Sequence, residues 1–141
     1  MQITTKSEKE TFNFAKNFAA KLKNSEIIGL IGDLGAGKTI FTKGLAKGLG
    51  VKQMVNSPTF ILMKIYKCHN HKTIKQLVHI DAYRVKSQND IIAIGADEYF
   101  NKKNTVIVIE WANKIKKMLP KDTSYFFIKR LTKNERKLIK K

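Results

Sequence analysis

Apolar residues along this chain repeat with two periods, one typical of strands and one typical of helices. Short, mostly apolar runs that predict buried strands cover residues 27–31, 74–80 and 105–110. Apolar positions at helical spacing lie within residues 12–22 and 40–49. Strands that alternate with helices are typical of an α/β fold with a mainly parallel sheet, and we predict that architecture here.

Shorter elements complete the predicted architecture. A capping box at residues 7–10 opens the first helix. The remaining expected elements are a strand at 2–5, a strand at 60–67, short helices within 87–101 that break at Gly95, a helix at 113–119 that stops before Pro120, and a terminal hairpin formed by 125–131 and 137–139. No internal repeat or linker divides the sequence, so we expect a single domain over residues 1–141.

The segment between the strand at 27–31 and the helix at 40–49 has the composition of a phosphate-binding loop. Residues 32–39 read GDLGAGKT and match the pattern G-x-x-x-x-G-K-[ST]. Glycines allow backbone N–H groups to converge on phosphate oxygens, and the following helix adds its positive end. Lys38 would place its charge against the terminal phosphates, and the Thr39 hydroxyl would bind Mg²⁺. The residues expected to contact the nucleotide are Gly32, Asp33, Leu34, Gly35, Ala36, Gly37, Lys38, Thr39 and Ile40.

Two acidic residues follow predicted strands, where the chemistry of a phosphate-binding fold needs them. Glu110 ends the strand at 105–110, and Asp81 ends the strand at 74–80. Active sites of such folds lie at the carboxyl ends of parallel strands. We expect Glu110 to hold Mg²⁺, directly or through water, and Asp81 to orient the attacking water. The sequence alone leaves the reverse assignment open.

Three further features are weaker candidates. Hydroxyl groups of Ser57 and Thr59 flank Pro58 and would approach the γ-phosphate, although an ordinary turn explains this pattern better. Arg84 would stabilise charge on the transferred phosphoryl group or form a surface ion pair. Trp111 is either a packing anchor or a partner contact.

Charge and cysteine content restrict the class of protein. The net charge is +17, yet the 28 basic residues include only three arginines, at positions 84, 130 and 136. This composition is explained about equally well by a polyanionic partner and by a compositional drift toward lysine. A single cysteine excludes an internal disulfide, and no apolar stretch reaches the length of a membrane span. We expect a cytoplasmic protein with no membrane partner.

Four segments taken together resemble the bacterial tRNA threonylcarbamoyladenosine biosynthesis ATPases of the TsaE family. They are GDLGAGKT at 32–39, SPTF at 57–60, HIDAYR at 79–84 and IEW at 109–111. The first segment is common to many proteins with a phosphate-binding loop (P-loop), whereas the four in this order and spacing are specific. The resemblance covers nearly the whole chain.

The resemblance implies a three-layer P-loop NTPase fold, with a mainly parallel central sheet. It implies a slow ATPase that uses ATP and Mg²⁺, with the metal held by Thr39 and Glu110. Asp81 would be needed for hydrolysis, and Thr59 would lie in a switch loop. The implied catalytic set is therefore Lys38, Thr59, Asp81 and Glu110.

The resemblance also implies partners. They are subunits of the TsaB and TsaD type, which form the threonylcarbamoyltransferase complex that ATP turnover resets, and tRNA is reached through that complex. Two positions depart from the usual pattern of the family. Ile40 stands in place of a second hydroxyl residue, and Ala82 stands in place of a leucine.

Other function classes fit the sequence less well. A small P-loop kinase acting on a small molecule or nucleoside is the main alternative, although three arginines are few for a lid that binds a transferred phosphate. A regulatory GTPase would need the pattern Asn-Lys-x-Asp to recognise guanine. Residues 113–116 read NKIK, so Lys116 stands where the acidic residue is required. A tRNA-binding module without enzyme activity would explain the charge but not the arrangement of Lys38, Thr39, Asp81 and Glu110.

Overall fold

The computed structural model describes residues 1–58 and 62–141, and within these residues one seven-stranded sheet is formed. Its strands are β1 (Gln2–Thr5), β2 (Glu26–Ile31), β3 (Met63–Lys67), β4 (Gln76–Asp81), β5 (Thr105–Glu110), β6 (Ser124–Arg130) and β7 (Arg136–Lys140). The α-helices are α1 (Glu8–Ala20), α2 (Lys38–Gly48) and α3 (Gln88–Ala93), and short 3-10 helices cover Ala96–Tyr99, Ala112–Lys114 and Lys116–Met118. Across the sheet the strand order is β1-β7-β6-β2-β5-β4-β3.

The middle of the sheet is parallel and both of its edges are antiparallel. β2 runs parallel to β5 and to β6, and β4 runs parallel to β5. β3 pairs antiparallel with β4 at one edge, and β7 pairs antiparallel with β6 and β1 at the other. Parallel strands share one direction, so the carboxyl ends of β2, β4 and β5 meet at one edge of the sheet. The register there places Asp81 directly opposite Glu110.

Side chains that alternate along the central strands build two hydrophobic cores, one on each face of the sheet. On β2, Ile28 and Leu30 pack with Phe41 of α2, whereas Ile27 packs on the opposite face with Ile91 of α3. Strands buried on both faces read as continuous apolar runs, which is the pattern seen in the sequence. The predicted layered α/β arrangement is therefore present.

Close contact between α1 and α2 fixes the helical layer that carries the phosphate-binding loop. Ser7 caps α1 by accepting a hydrogen bond from the Glu10 amide (3.1 Å). A Cβ atom at Gly44 would lie 2.2 Å from the carbonyl oxygen of Phe12, and one at Gly48 would lie 2.1 Å from that of Lys16. Only glycine allows the two helices to approach this closely.

Some element boundaries differ from those predicted. α2 begins at Lys38 rather than at residue 40, because the last residues of the loop already form its first turn. The segment 113–119 forms two 3-10 helices separated by the buried Ile115, in place of one longer helix. The strand predicted at 60–67 is β3, which starts at Met63. Residues 60 and 61 of that prediction lie outside the described residues. The terminal hairpin predicted from the sequence is confirmed as β6 and β7.

Candidate functional site

The loop between β2 and α2 has the conformation of an anion-binding loop. Gly35 and Gly37 have φ angles of +78° and +113°, which side-chain-bearing residues rarely adopt. The Ala36 amide donates to the Asp33 carbonyl (3.0 Å), and the Phe41 amide donates to Gly37 as α2 begins. Successive amide groups at the start of a helix favour phosphate oxygens. The first N–H groups of α2 have no acceptor within the helix, so donors suited to a phosphate lie where the sequence predicts them.

The C-terminal hairpin supports this loop from outside. A Cβ atom at Gly32 would lie 2.4 Å from the Ile128 carbonyl oxygen on β6. The Arg136 guanidinium lies beside Gly37, with its Nε atom 3.4 Å from the position that a Cβ would take there. Arg136 Nη1 donates to three carbonyl groups of the hairpin turn, those of Thr132, Lys133 and Glu135. The sequence pattern gives no signal for this role of Arg136, because its place beside the loop depends on strand pairing.

Lys38 lies at the inner surface of the loop with its charge close to acceptors. Its Nζ atom donates to the carbonyl oxygens of Gly32 (2.6 Å) and Asp33 (2.7 Å), and lies 4.1 Å from the centre of the Trp111 ring. Burial lowers the pKa of the Lys38 ammonium, and the carboxylates of Glu110, Asp33 and Asp81 oppose that shift. The ammonium is thus partly desolvated, which strengthens its attraction for an anion.

Thr39 and Glu110 come together although they are 71 positions apart in the sequence. The Thr39 hydroxyl donates to Glu110 Oε1 at 3.0 Å, and it lies 3.4 Å from the Ser57 hydroxyl. The other oxygen of the carboxylate, Oε2, lies 2.5 Å from His79 Nε2. Glu110 and His79 are both buried. One carboxylate is therefore held at both oxygens, by residues from two different elements.

Asp81 lies next to Glu110 at the carboxyl end of the adjacent strand. Its Oδ1 atom accepts a hydrogen bond from the Tyr83 amide at 3.0 Å. Burial raises the pKa of Asp81, and the charge of Glu110 adds to that rise, whereas the Tyr83 amide, His79 and Lys38 oppose it. A half-buried carboxylate of raised pKa is suited to orient a water molecule and to accept a proton from it.

These residues line one cavity of about 320 Å³. Of the residues predicted from the sequence, those that line the cavity are Leu34, Gly35, Gly37, Lys38, Thr39, Ile40, Ser57, Asp81, Glu110 and Trp111. Three further loop residues line a separate pocket beside the C-terminal hairpin, namely Gly32, Asp33 and Ala36. Thr59 lies outside the described residues. Arg84 lines a smaller neighbouring pocket that shares Ser57 and Asp81 with the main cavity. The cavity is thus formed mainly by the loop and the two strand ends.

The oxygen atoms of Thr39 and Glu110 fit a magnesium ion. Adjacent ligands of octahedral magnesium lie about 3 Å apart, because each is about 2.0–2.1 Å from the ion. The 3.0 Å between Thr39 Oγ1 and Glu110 Oε1 matches that spacing. The described residues contain no cluster of three or more His, Cys, Asp or Glu side chains that could hold a metal by themselves. Magnesium at this place would depend on phosphate and water oxygens for its remaining ligands.

Two aromatic residues cover one side of the cavity. The rings of Tyr83 and Trp111 lie 5.0 Å apart, and Lys114 Nζ lies 5.1 Å from the centre of the Tyr83 ring. Trp111 has a φ angle of +62°, which is uncommon for a residue other than glycine. Both side chains line the cavity. The Trp111 ring therefore faces the Lys38 ammonium in the cavity, in addition to packing against the core.

Comparison with known proteins identifies relatives over nearly the whole chain. A family model described as "Threonylcarbamoyl adenosine biosynthesis protein TsaE" matches residues 5–138. The tRNA threonylcarbamoyladenosine biosynthesis protein TsaE of Bacillus subtilis is 41% identical over 134 residues, covering 95% of this chain and 80% of the relative. The protein of the same name from Treponema pallidum is 35% identical over 138 residues, covering 98% of both.

A solved structure shows the same fold. It is described as the crystal structure of Bacillus subtilis YdiB and superposes with a TM-score of 0.78 at 37% identity, covering 98% of this chain and 82% of the other. Together with the observed sheet, this confirms the predicted α/β P-loop fold with a parallel centre.

Proposed function

This chain belongs to the TsaE family, which functions in tRNA threonylcarbamoyladenosine biosynthesis, and we propose that it is a Mg²⁺-dependent ATPase of that pathway. One observation carries the proposal: Lys38, Thr39, Asp81 and Glu110 line a single cavity beside the glycine-rich loop. These are the groups that hydrolysis of a nucleoside triphosphate needs, namely phosphate ligands, a metal site and a water-orienting carboxylate.

The proposed roles follow from the position of each group. Backbone amides of the loop and the Lys38 ammonium bind the phosphates, and Lys38 exchanges its two carbonyl acceptors for phosphate oxygens. Thr39 and Glu110 hold Mg²⁺, which neutralises charge on the phosphate oxygens. Asp81 orients the water that attacks the γ-phosphorus and takes up its proton as the bond to the leaving diphosphate breaks.

The biological purpose that we propose rests on the family. ATP binding and hydrolysis reset the threonylcarbamoyltransferase complex between rounds, through contact with subunits of the TsaB and TsaD type. In this proposal the transferase modifies tRNA, and the chain described here supplies the nucleotide-driven step. The pathway named by the relatives supports this role.

A hydrolysis assay with purified components tests the proposal. Turnover of ATP and of GTP is measured for the wild-type chain and for Lys38→Ala, with and without the two partner subunits and tRNA. We expect slow turnover by the chain alone, stimulation by the partners, and loss of turnover in Lys38→Ala, since the charge that neutralises the phosphates is gone. Unchanged turnover in Lys38→Ala would refute the site. Stimulation by a small phosphoryl acceptor alone would favour the kinase alternative.

A further inference from the structure

The buried side chain of His79 contacts the carboxylate that we assign to the metal. His79 lies on β4, one strand away from Glu110 on β5, and its side chain has no exposed surface. Its Nε2 atom lies 2.5 Å from Glu110 Oε2, while Glu110 Oε1 accepts from Thr39 at 3.0 Å. Each oxygen of the carboxylate therefore has its own donor, and the two donors come from different elements, α2 and β4.

The surroundings of the ring determine which nitrogen carries the proton. A carboxylate only accepts hydrogen bonds, so Nε2 must be the donor in this contact. The Nδ1 atom is buried and has no hydrogen-bond partner among residues 1–58 and 62–141. The ring therefore donates its hydrogen bond to Glu110 through Nε2.

We propose that His79 is a positioning residue that fixes the Glu110 carboxylate so that Oε1 faces Thr39 and the magnesium site. This inference rests on the proposed function, since it concerns the same metal. Without the His79 donor, Oε2 would be a buried charge that lacks a partner. Lys38 also attracts Glu110 electrostatically, so a released carboxylate is expected to turn toward Lys38 and away from the metal. Partners of this kind commonly change metal affinity by about 10–100-fold.

Four variants of the full chain separate the hydrogen bond from simple packing. His79→Leu removes the donor, whereas His79→Gln keeps an N–H group near the position of Nε2. His79→Asn has a shorter amide that does not reach Glu110. Gln76→Leu is the matched control, since it removes another hydrogen bond between β4 and β5, from Gln76 Nε2 to Thr105 Oγ1 (3.0 Å), at the far end of the same strands.

The readout is the Mg²⁺ concentration that half-saturates the ADP complex. It is followed by the fluorescence of Trp111, the single tryptophan, which lines the cavity. We expect His79→Leu to raise this concentration by about 10–100-fold, with ADP binding in EDTA unchanged. His79→Gln should recover most of the affinity, and Gln76→Leu should match the wild type. Thermal unfolding without nucleotide identifies any variant that fails to fold, and His79→Asn replaces His79→Leu if needed.

Two results would overturn the positioning role. One is a normal Mg²⁺ midpoint in folded His79→Leu or His79→Asn, which would make the contact one of packing only. The other is a loss that His79→Gln does not restore, which would assign the effect to the shape of the ring. The wild-type titration is separate: if Mg²⁺ has no effect on its ADP binding, the proposed function itself fails, before any variant is compared.

Discussion

At the scale of single residues, Asp81 and Glu110 illustrate how position separates two similar carboxylates. They lie opposite each other in adjacent strands, yet Glu110 is bound by Thr39 and His79, whereas Asp81 accepts only the Tyr83 amide among the described contacts. The carboxylate held on both sides suits a metal, and the less restrained carboxylate of raised pKa suits a water molecule. The structure thus favours Glu110 as the metal ligand and Asp81 as the residue that orients water, an assignment that the sequence left open.

Asp81→Asn tests the water-orienting role. An amide keeps the acceptor for the Tyr83 amide but does not take up a proton, so turnover should fall by about 10²–10⁴-fold while ATP still binds. Single-turnover hydrolysis and equilibrium ATP binding, measured on the same samples, check both parts. Normal hydrolysis in Asp81→Asn would make this acid structural.

The raised pKa of Asp81 predicts how stability depends on pH. A folded-state pKa above the unfolded value means that the folded chain binds the proton more tightly. The contribution of Asp81 to stability is therefore present at low pH and is lost as the pH rises through the folded pKa. Without nucleotide, Asp81→Asn should unfold at a higher temperature than the wild type at pH 7, and the difference should shrink toward pH 4. A lower unfolding temperature at pH 7 would contradict the pKa shift.

Glu110→Ala tests the metal role with an internal control. The variant should weaken ADP binding in Mg²⁺ more than binding in EDTA, because only the first depends on the metal ligand. Calorimetric titration under the two conditions gives both values from one protein. Equal losses in Mg²⁺ and in EDTA would move the metal site elsewhere.

At the scale of elements, the contact between α1 and α2 depends on glycines that a helix would otherwise disfavour. By helix propensity alone, replacing Gly44 with alanine should stabilise the helix by about 1 kcal/mol. Its Cβ would nevertheless lie 2.2 Å from the Phe12 carbonyl oxygen, and overpacking of this kind costs about 1–3 kcal/mol. We expect Gly44→Ala to lower the free energy of unfolding, measured by urea denaturation. Lys47→Ala, an exposed change on the same helix, is the control and should stay within about 0.5 kcal/mol. A stabilised Gly44→Ala protein would contradict the described helix contact.

Elements with a local signal were predictable from the sequence, and those that depend on distant pairing were not. The loop at 32–39 and the strand ends at Asp81 and Glu110 follow from motif and periodicity. The roles of His79 and Arg136 depend on which strands pair and in which register. Alternation places His79 on the same face of its strand as Asp81, which was the available signal, but only the parallel register brings it to Glu110.

At the scale of the whole molecule, the sheet gathers segments that are far apart in the chain. Thr39 and Glu110 are separated by 71 positions, and the C-terminal hairpin reaches the loop through Arg136. Substitutions in the hairpin are therefore expected to affect the proposed nucleotide site although they lie outside every recognised motif. Among the helices of the described residues, none has the length and apolar character needed to cross a membrane.

Salt dependence of tRNA binding separates the two explanations of the net charge of +17, a polyanionic partner and compositional drift. Lysine-rich surfaces release counterions when they bind phosphates, so the logarithm of the binding constant should fall linearly with the logarithm of salt concentration. Filter binding of unmodified tRNA between about 50 and 200 mM salt measures the slope. A slope near zero would indicate that the charge reflects composition alone and does not serve a polyanionic partner.

Equilibrium binding of ATP in the presence of Mg²⁺, compared between the wild-type chain and Lys38→Met, tests whether the loop at 32–39 binds a nucleoside triphosphate. Methionine keeps apolar volume beside Trp111 but removes the charge that lies at the loop. We predict saturable binding by the wild type with one ATP per chain, and affinity at least about tenfold lower in Lys38→Met. Wild-type protein that takes up no ATP, or a folded Lys38→Met protein that binds it equally well, would contradict the account.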